Sequence, residues 1–480
     1  MEDVARKRSV RDGLRSWVRQ DTPSHTSSEP SQVDHLHAAA VVDLALRVAE
    51  LAVQAGAVTS EATSFALTVT SAYGLAADVD VTWTSVTISY HRRGRAEPIT
   101  GFRGVRKRNT NYTTLAQLTH LIDEIGEGGL DLEEAREKLD ALYDNIRPYR
   151  GWVICLGQAV LGAGVAAILG GRAVEMGFAA LANALLFIVQ LRLARTQLSV
   201  FFIQAVGAAV PTAMAVGIMH MRSLQEGWFY SVSPSLIVAS GIVSLLAGVG
   251  VVAAARDAMD GNLITATARA FDAVLQTSGI VVGVSVTLWI GFKLGVAGYI
   301  APTGGYASPS ALQIVWACLI AIGVGFGFQL GLRAFPYAAI LAALGFGVYQ
   351  YSFEWIGNAP GAAALGALVV GFLAQIMTGR TRIPLIALVT TGVVAMMPGS
   401  SLYRGLYELT SSFSGPISVQ AQISLAQAIM IGLALAAGSS FGAQIARPLG
   451  LPSARLFRIS TLRALNRSNR QTTNTEATGS

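Results

Sequence analysis

From residue 151 onward the chain is a succession of long apolar stretches, and this limits its fold more than any other feature. A helix needs about 20 largely apolar residues to cross the hydrocarbon of a bilayer. Ten segments meet that requirement: 151–169, 175–191, 198–219, 233–255, 272–296, 310–331, 335–356, 361–378, 383–403 and 420–443. Backbone polar groups cannot be left bare in lipid, so such runs become helices. Only 13% of the 480 residues are charged, against roughly 25% in an ordinary soluble domain. The expected fold is a polytopic α-helical membrane protein with about ten transmembrane helices.

The charge is unevenly placed. Residues 1–150 carry 18 basic and 21 acidic residues, whereas residues 151–480 carry 17 and 8. The net charge of +6 therefore arises in the membrane part. With a cytoplasmic N-terminus, ten flanking arginines fall inside, among them Arg147, Arg150, Arg256, Arg269, Arg333 and Arg447. Three fall outside: Arg172, Arg222 and Arg404. That bias satisfies the positive-inside rule. It places the arginine-rich tail, Arg455 to Arg470, inside as well, which requires an even number of spans. Because the basic residues are dispersed between apolar segments, nucleic acid is excluded as a partner. Two cysteines exclude a disulfide framework and a cysteine-based zinc site.

Ahead of the spans, residues 1–33 read as a disordered basic tail with no secretory h-region. Residues 34–147 read as a small cytoplasmic α+β domain. Leu36, Ala40, Leu44, Val48, Leu51 and Ala55 keep helical spacing, and Gly56 is the expected stop. A second helix runs to Gly74. Val79, Val81 and Trp83 alternate before the phase flips to Val86, Ile88 and Tyr90, so a bulge or tight turn is expected near Thr84–Ser85. Helices over 113–125 and 132–146 follow. A basic cluster, Arg92, Arg93, Arg95, Arg103, Arg106, Lys107 and Arg108, suits either solvent or anionic lipid headgroups.

The membrane part shows an internal repeat. Gly162, Gly164 and Arg172 recur 161 residues later as Gly323, Gly325 and Arg333. FAALANALLFIV at 178–189 resembles YAAILAALGFGV at 337–348, and GIVSLLAG at 241–248 resembles GVVAMMPG at 392–399. Five spans per half is odd, so the second half enters from the opposite side. Two inverted five-helix repeats, 148–304 and 305–446, are a signature of secondary transporters. A basic cytoplasmic tail, 447–480, completes the chain.

No Walker A, GxSxG or HExxH motif is present, no histidine lies deep in a span, and no metal or cofactor is expected. The chemistry of a carrier falls instead to the few polar groups within the membrane. Asp257, Asp260 and Asp272 flank the fourth-to-fifth connection between Arg256 and Arg269 and are the candidates for proton or ion coupling. Asp272 is favoured among them because it begins an apolar span. Asn183, Gln204, Thr212, Thr390 and Thr391 are candidates for substrate binding or gating. Pro211, Pro398, Gly399 and Ser400 join them because helix breakers expose backbone N–H and C=O groups that suit a zwitterion. A polar cavity is expected where spans three, four, eight and nine meet.

Several segments resemble the bacterial threonine/serine exporter family (ThrE-type). ALRVAELAVQAGAVT at 45–59 is similar to its opening helix and Gly-Ala-x-Thr turn. Residues 104–143, the R-D-x-x-x-G segment at 256–261 and MPGSSLY at 397–403 are similar to further family patterns. The chain departs in two places: Glu61 follows Thr59 without the family's Arg-x-Glu arrangement, and the first half has Ala247-Gly248 where the second has Pro398-Gly399. The resemblance implies secondary active export of L-threonine and L-serine driven by the proton motive force. It implies a multi-pass protein of the bacterial plasma membrane with both termini cytoplasmic, and no enzymatic activity. The expected partners are an amino-acid substrate and membrane lipid, with homo-oligomerisation left open. A carrier of another small metabolite, such as a dicarboxylate, and a membrane-anchored hydrolase using the cytoplasmic domain are the alternatives.

Overall fold

The computed structural model describes residues 35–91, 98–105, 110–144, 149–223, 232–245, 247–295, 311–397, 399–411 and 418–448. The two basic tails lie outside these residues, as do Pro398 and every member of the basic cluster except Arg103.

The N-terminal region is α+β. Helices α1 (His35–Ala55) and α2 (Thr59–Ala72) precede strands β1 (Ala77–Val81), β2 (Ser85–Tyr90) and β3 (Ile99–Gly104), and α3 (Tyr112–Gly126) and α4 (Leu132–Asp144) follow. The strands form an antiparallel sheet in the order β1-β2-β3, with Val81 opposite Val86 and Ser85 opposite Gly104. A tight turn explains the phase flip. Thr82 N–H donates to the Ser85 carbonyl at 2.8 Å, and Ser85 N–H donates to Thr82 Oγ1 at 3.1 Å. Val86 and Ile88 are buried along with Leu44, Val48 and Leu118. Gly56 and Gly74 end α1 and α2 with φ of 99° and 79°, a conformation that favours glycine. Asn111 caps α3 by accepting from Thr113 and Thr114 N–H, both at 3.1 Å.

The remaining helices are α5 (Gly151–Ile168), α6 (Ala173–Leu193), α7 (Val200–Ser223), α8 (Pro234–Ser244), α9 (Ala247–Met259), α10 (Leu263–Lys293), α11 (Ala311–Gly327), α12 (Phe335–Ile356), α13 (Ala359–Thr381), α14 (Leu385–Val393), α15 (Gly399–Ser411) and α16 (Val419–Ala446). Among the described residues, seven helices are long and apolar enough to cross a membrane, and α8, α11 and α14 with the 3-10 turn after it are shorter apolar helices. Large apolar side chains, including Leu181, Phe202, Val282, Trp289, Leu365 and Met430, point outward from these helices, as lipid contact requires. The chain is a polytopic α-helical membrane protein with a small N-terminal α+β region.

Two expected segments are interrupted. Residues 233–255 divide at Leu245 into α8 and α9. Residues 383–403 divide into α14, a 3-10 turn over Val394–Met396, and α15. Helix α10 begins at Leu263, nine residues before Asp272, so Asp272 sits inside a helix rather than at its start. The polar run from Leu263 to Asp272 contains no breaker, and the helix continues through it.

Glycine sets the closest helix contacts. A Cβ at Gly371 would collide with the Ser439 carbonyl, and one at Gly438 or Gly442 with the carbonyls of Ala364 or Leu368, so α13 and α16 pack backbone to backbone. Gly279 and Gly283 of α10 lie in the same way on the Phe201 and Ala205 carbonyls of α7. Without a hydrophobic drive between helices in lipid, such close packing supplies the association.

Residues 36–457 form one compact unit, with the N-terminal region docked on one end of the helices. The start of α3 meets the end of α11. Tyr112 N–H donates to the Phe328 carbonyl at 3.0 Å and Thr113 N–H to the Gln329 carbonyl at 3.1 Å. Tyr149 donates its hydroxyl proton to the Leu330 carbonyl at 2.6 Å. The positive end of α3 thus satisfies carbonyls at the negative end of α11.

Candidate functional site

The candidates from the sequence fall into three places. The first centres on the half-helix α8, where three nearby residues touch three other helices. Ser240 Oγ is 3.2 Å from Asn183 Nδ2 on α6. Gly241 lies under Pro211 of α7, where a Cβ would collide with the proline ring. Val243 packs directly on Gly399, the first residue of α15, leaving no room for a side chain there. Asn183 also donates to the Ala179 carbonyl at 2.7 Å, and Gly162 of α5 makes room for its amide. Thr212 donates to the Ala208 carbonyl at 2.8 Å, and Thr391 to the Ala387 carbonyl at 2.8 Å. Pro398 lies outside the described residues, and so does the side chain of Ser400.

The two interruptions therefore meet. A small cleft opens between them, lined by Ile168, Val243, Ile320, Val394, Met397 and Gly399 among others. It lies between the first, fourth, sixth and ninth apolar segments, not between the third, fourth, eighth and ninth. Its side chains are apolar, whereas a polar cavity was expected. Polarity at a helix break comes from the backbone: half-helix ends carry unpaired C=O and N–H groups with their partial charges. Two buried side-chain atoms nearby, Asn183 Oδ1 and Ser244 Oγ, have no hydrogen-bond partner among the described residues. Ser240 and Ser244 were not singled out in the sequence. They are hydroxyls in an ordinary apolar helix until the break at Leu245 is known.

The second place is a chain of amides within the helices. Gln190 donates to Gln204 Oε1 at 3.3 Å, Gln204 to Gln276 Oε1 at 3.2 Å, and Gln276 to Asp272 Oδ2 at 2.8 Å. It runs from α6 through α7 to α10 and accounts for both Gln204 and Asp272 in structural terms.

The third is the junction with the N-terminal region. Asp257 on α9 is fully buried and pairs with Arg269 on α10 at 3.1 Å. Arg269 also stacks on Trp83, with its guanidinium carbon 4.0 Å from the ring centroid, and donates to the Ala57 carbonyl at 3.3 Å. Helix α2 begins here with Val58 at its N-cap, which offers no side-chain cap. The Thr59 amide instead faces the Asp257 carboxylate, which supplies the anion a helix N-terminus favours. Ser60 donates to Asp260 Oδ2 at 3.3 Å. Tyr112 donates to Thr390 Oγ1 on α14 at 3.2 Å, which places one of the gating candidates under the N-terminal region. Burial pushes the Tyr112 hydroxyl up to about 12, so it keeps its proton at neutral pH. Glu61, half-buried in the first turn of α2, is held at about 7 by burial, which the charge of Arg256 only partly offsets. In the sequence Glu61 stood out only as a departure from a family pattern, Trp83 only as part of a strand and Tyr112 not at all, because their partners lie about 190 residues or more away.

No group of three or more His, Cys, Asp or Glu residues that could hold a metal occurs among the described residues. No solved structure matches this chain. Two family models do. One described as "Putative threonine/serine exporter" matches residues 43–291, and one described as "Threonine/Serine exporter, ThrE" matches residues 313–445. A protein of Mycobacterium tuberculosis named "Probable threonine/serine exporter" is 31% identical, covering 95% of this chain and 87% of its own length. The "Threonine/serine exporter" of Corynebacterium glutamicum is 33% identical, covering 87% of this chain and 85% of its own. The chain belongs to the threonine/serine exporter (ThrE) family.

Proposed function

We propose that this protein is a secondary exporter of L-threonine and L-serine that exchanges them for protons across the bacterial plasma membrane. It is a multi-pass membrane protein whose named relatives are exporters of these amino acids. The observation that carries the mechanism is the contact of two interrupted helices at Val243 and Gly399. There the last turn of α8 touches the first residue of α15, and the carbonyl end of one half-helix beside the amide end of another would suit the ammonium and carboxylate of a zwitterion. The unpartnered Ser244 hydroxyl beside the break suits the hydroxyl of threonine or serine.

The architecture proposed is ten spans in two inverted halves, 148–304 and 305–446. It is preceded by a cytoplasmic domain over 34–147, and both tails, 1–33 and 447–480, are cytoplasmic. Two features support the repeat. The fourth and ninth segments are both interrupted, at positions the sequence repeat aligns. The glycine-on-carbonyl packing of α7 with α10, the third and fifth segments, recurs in α13 with α16, the eighth and tenth.

The test is counterflow in proteoliposomes against a panel of amino acids and dicarboxylates, with and without a pH gradient. Threonine and serine are expected to exchange, and a gradient acid inside is expected to drive their uptake. Exchange of dicarboxylates in their place would overturn the substrate assignment.

A further inference from the structure

The N-terminal region grips both halves of the membrane part at one end. Its hold on the first half is the start of α2. Ala57 accepts from Arg269, the Thr59 amide faces Asp257, and Ser60 bonds Asp260. A short connection from Asp144 to Gly151 also ties α4 to α5. Its hold on the second half is the start of α3. Tyr112 and Thr113 donate their amides to carbonyls at the end of α11. The Thr113 hydroxyl donates to the Gln329 carbonyl at 2.6 Å, and Asn111 Nδ2 donates to Gln329 Oε1 at 3.1 Å. Tyr112 reaches furthest in. It is 3% exposed, its ring centroid lies 5.5 Å from that of Phe328, and its hydroxyl bonds Thr390. It is thus wedged between α11 and α14. Farther along, the same two segments line the cleft with Ile320 and Val394, the latter about one helical turn beyond Thr390.

Resting on the inverted halves and the cytoplasmic N-terminal region proposed above, we propose that this region is the inner gate of the carrier, with Tyr112 as its plug, and that substrate enters the cleft from the cytoplasm only when the start of α3 lets go of α11 and α14.

An exporter loads from the cytoplasm, so a route from that side to the cleft must open in every cycle. Alternating access moves one half against the other. An element fastened to both halves at one end opposes that movement until one fastening yields. The contacts named with α11 and α14 join uncharged groups, and water replaces such bonds at little net cost. Those with the first half are made to Arg269, Asp257 and Asp260, and hydrogen bonds to charged groups are stronger. The hold on the second half is therefore the one that yields. The region stays with the first half, to which the chain also ties it.

The experiment staples the gate shut in the full chain. A Cβ built at Gly331 lies 3.8 Å from Thr113 Oγ1, so Thr113→Cys with Gly331→Cys is within reach of a disulfide. In a background lacking Cys155 and Cys318, the oxidised pair in proteoliposomes is expected to lose threonine counterflow, and dithiothreitol should restore it. Undiminished counterflow with the disulfide fully formed, as a permanently docked region allows, would overturn the proposal. Exchange of dicarboxylates in place of threonine would overturn the substrate assignment alone, and the same staple assayed with them still judges the gate. A second measurement needs no transport. Val243→Cys, in the same background, reports on the cleft when an impermeant thiol reagent is applied to either face of membrane vesicles. Adding Tyr112→Ala is expected to raise the alkylation rate severalfold from the cytoplasmic face alone. An unchanged rate, or an equal rise from both faces as a loosened fold gives, would overturn the proposal.

Discussion

Removing Arg269 tests how the N-terminal region is held. Its guanidinium pairs with the fully buried Asp257 at 3.1 Å and stacks on Trp83 at 4.0 Å. Arg269→Ala strands the Asp257 carboxylate, which costs about 3–5 kcal/mol when one partner of a buried pair is lost. The lost cation–π contact adds about 1 kcal/mol. Even the lower figure shifts a docking equilibrium on the order of a hundredfold. The assay is hydrogen exchange at the Tyr112 and Thr113 amides, which bond the Phe328 and Gln329 carbonyls only while docked. Both amides should exchange faster in Arg269→Ala. The double variant Arg269→Met with Asp257→Leu should recover more than half of the loss, since it removes both charges together. Wild-type protection in the single variant, or a double variant as labile as the single, would refute the reasoning.

Three further outcomes follow from the structure. Gly371→Leu has no room against the Ser439 carbonyl and should destabilise the α13–α16 pair by more than the ~1–3 kcal/mol typical of overpacking, read as a lowered Tm in detergent. Cys155 and Cys318 are half-buried against the carbonyls of Ala184 and Ala339, and both should resist membrane-impermeant thiol reagents; ready labelling of either would contradict their placement within helices. Glu61 has its value raised from 4.5 to about 7, so the docked form gains protons over that interval. Its contribution to docking is therefore full below about 4.5 and lost as pH rises through about 7. The Tyr112 amide should accordingly lose excess protection over that window, after correction for intrinsic exchange, and Glu61→Gln should abolish the slope.

The sequence and the structure part company at particular residues. Apolar length alone announced the helices, because lipid leaves the backbone no other choice. Gly56, Gly74 and the hairpin at Thr82–Ser85 were readable from local chemistry, as was the close packing implied by so many glycines. The break in the ninth segment was announced by Pro398. The matching break at Leu245 was visible only as a weak echo, since Ala247-Gly248 is compatible with an unbroken helix. The junction was the least legible part. Asp257 and Asp260 stood out as carboxylates at the fourth-to-fifth connection, but nothing local linked them to Thr59 and Ser60 about 200 residues earlier. Thr390 was chosen as a polar group in an apolar run, but Tyr112, which bonds it, is indistinguishable in sequence from any core tyrosine.

The central claim is that substrate binds where the two interrupted helices meet. Val243 lines that cleft and touches Gly399. A Val243→Cys variant in a background lacking Cys155 and Cys318 allows the rate of alkylation by a small thiol reagent to be followed in reconstituted protein. Saturating L-threonine is expected to slow that reaction severalfold, while an amino acid that is not transported leaves it unchanged. An alkylation rate unaffected by threonine, in a variant that still exchanges it, would contradict the account.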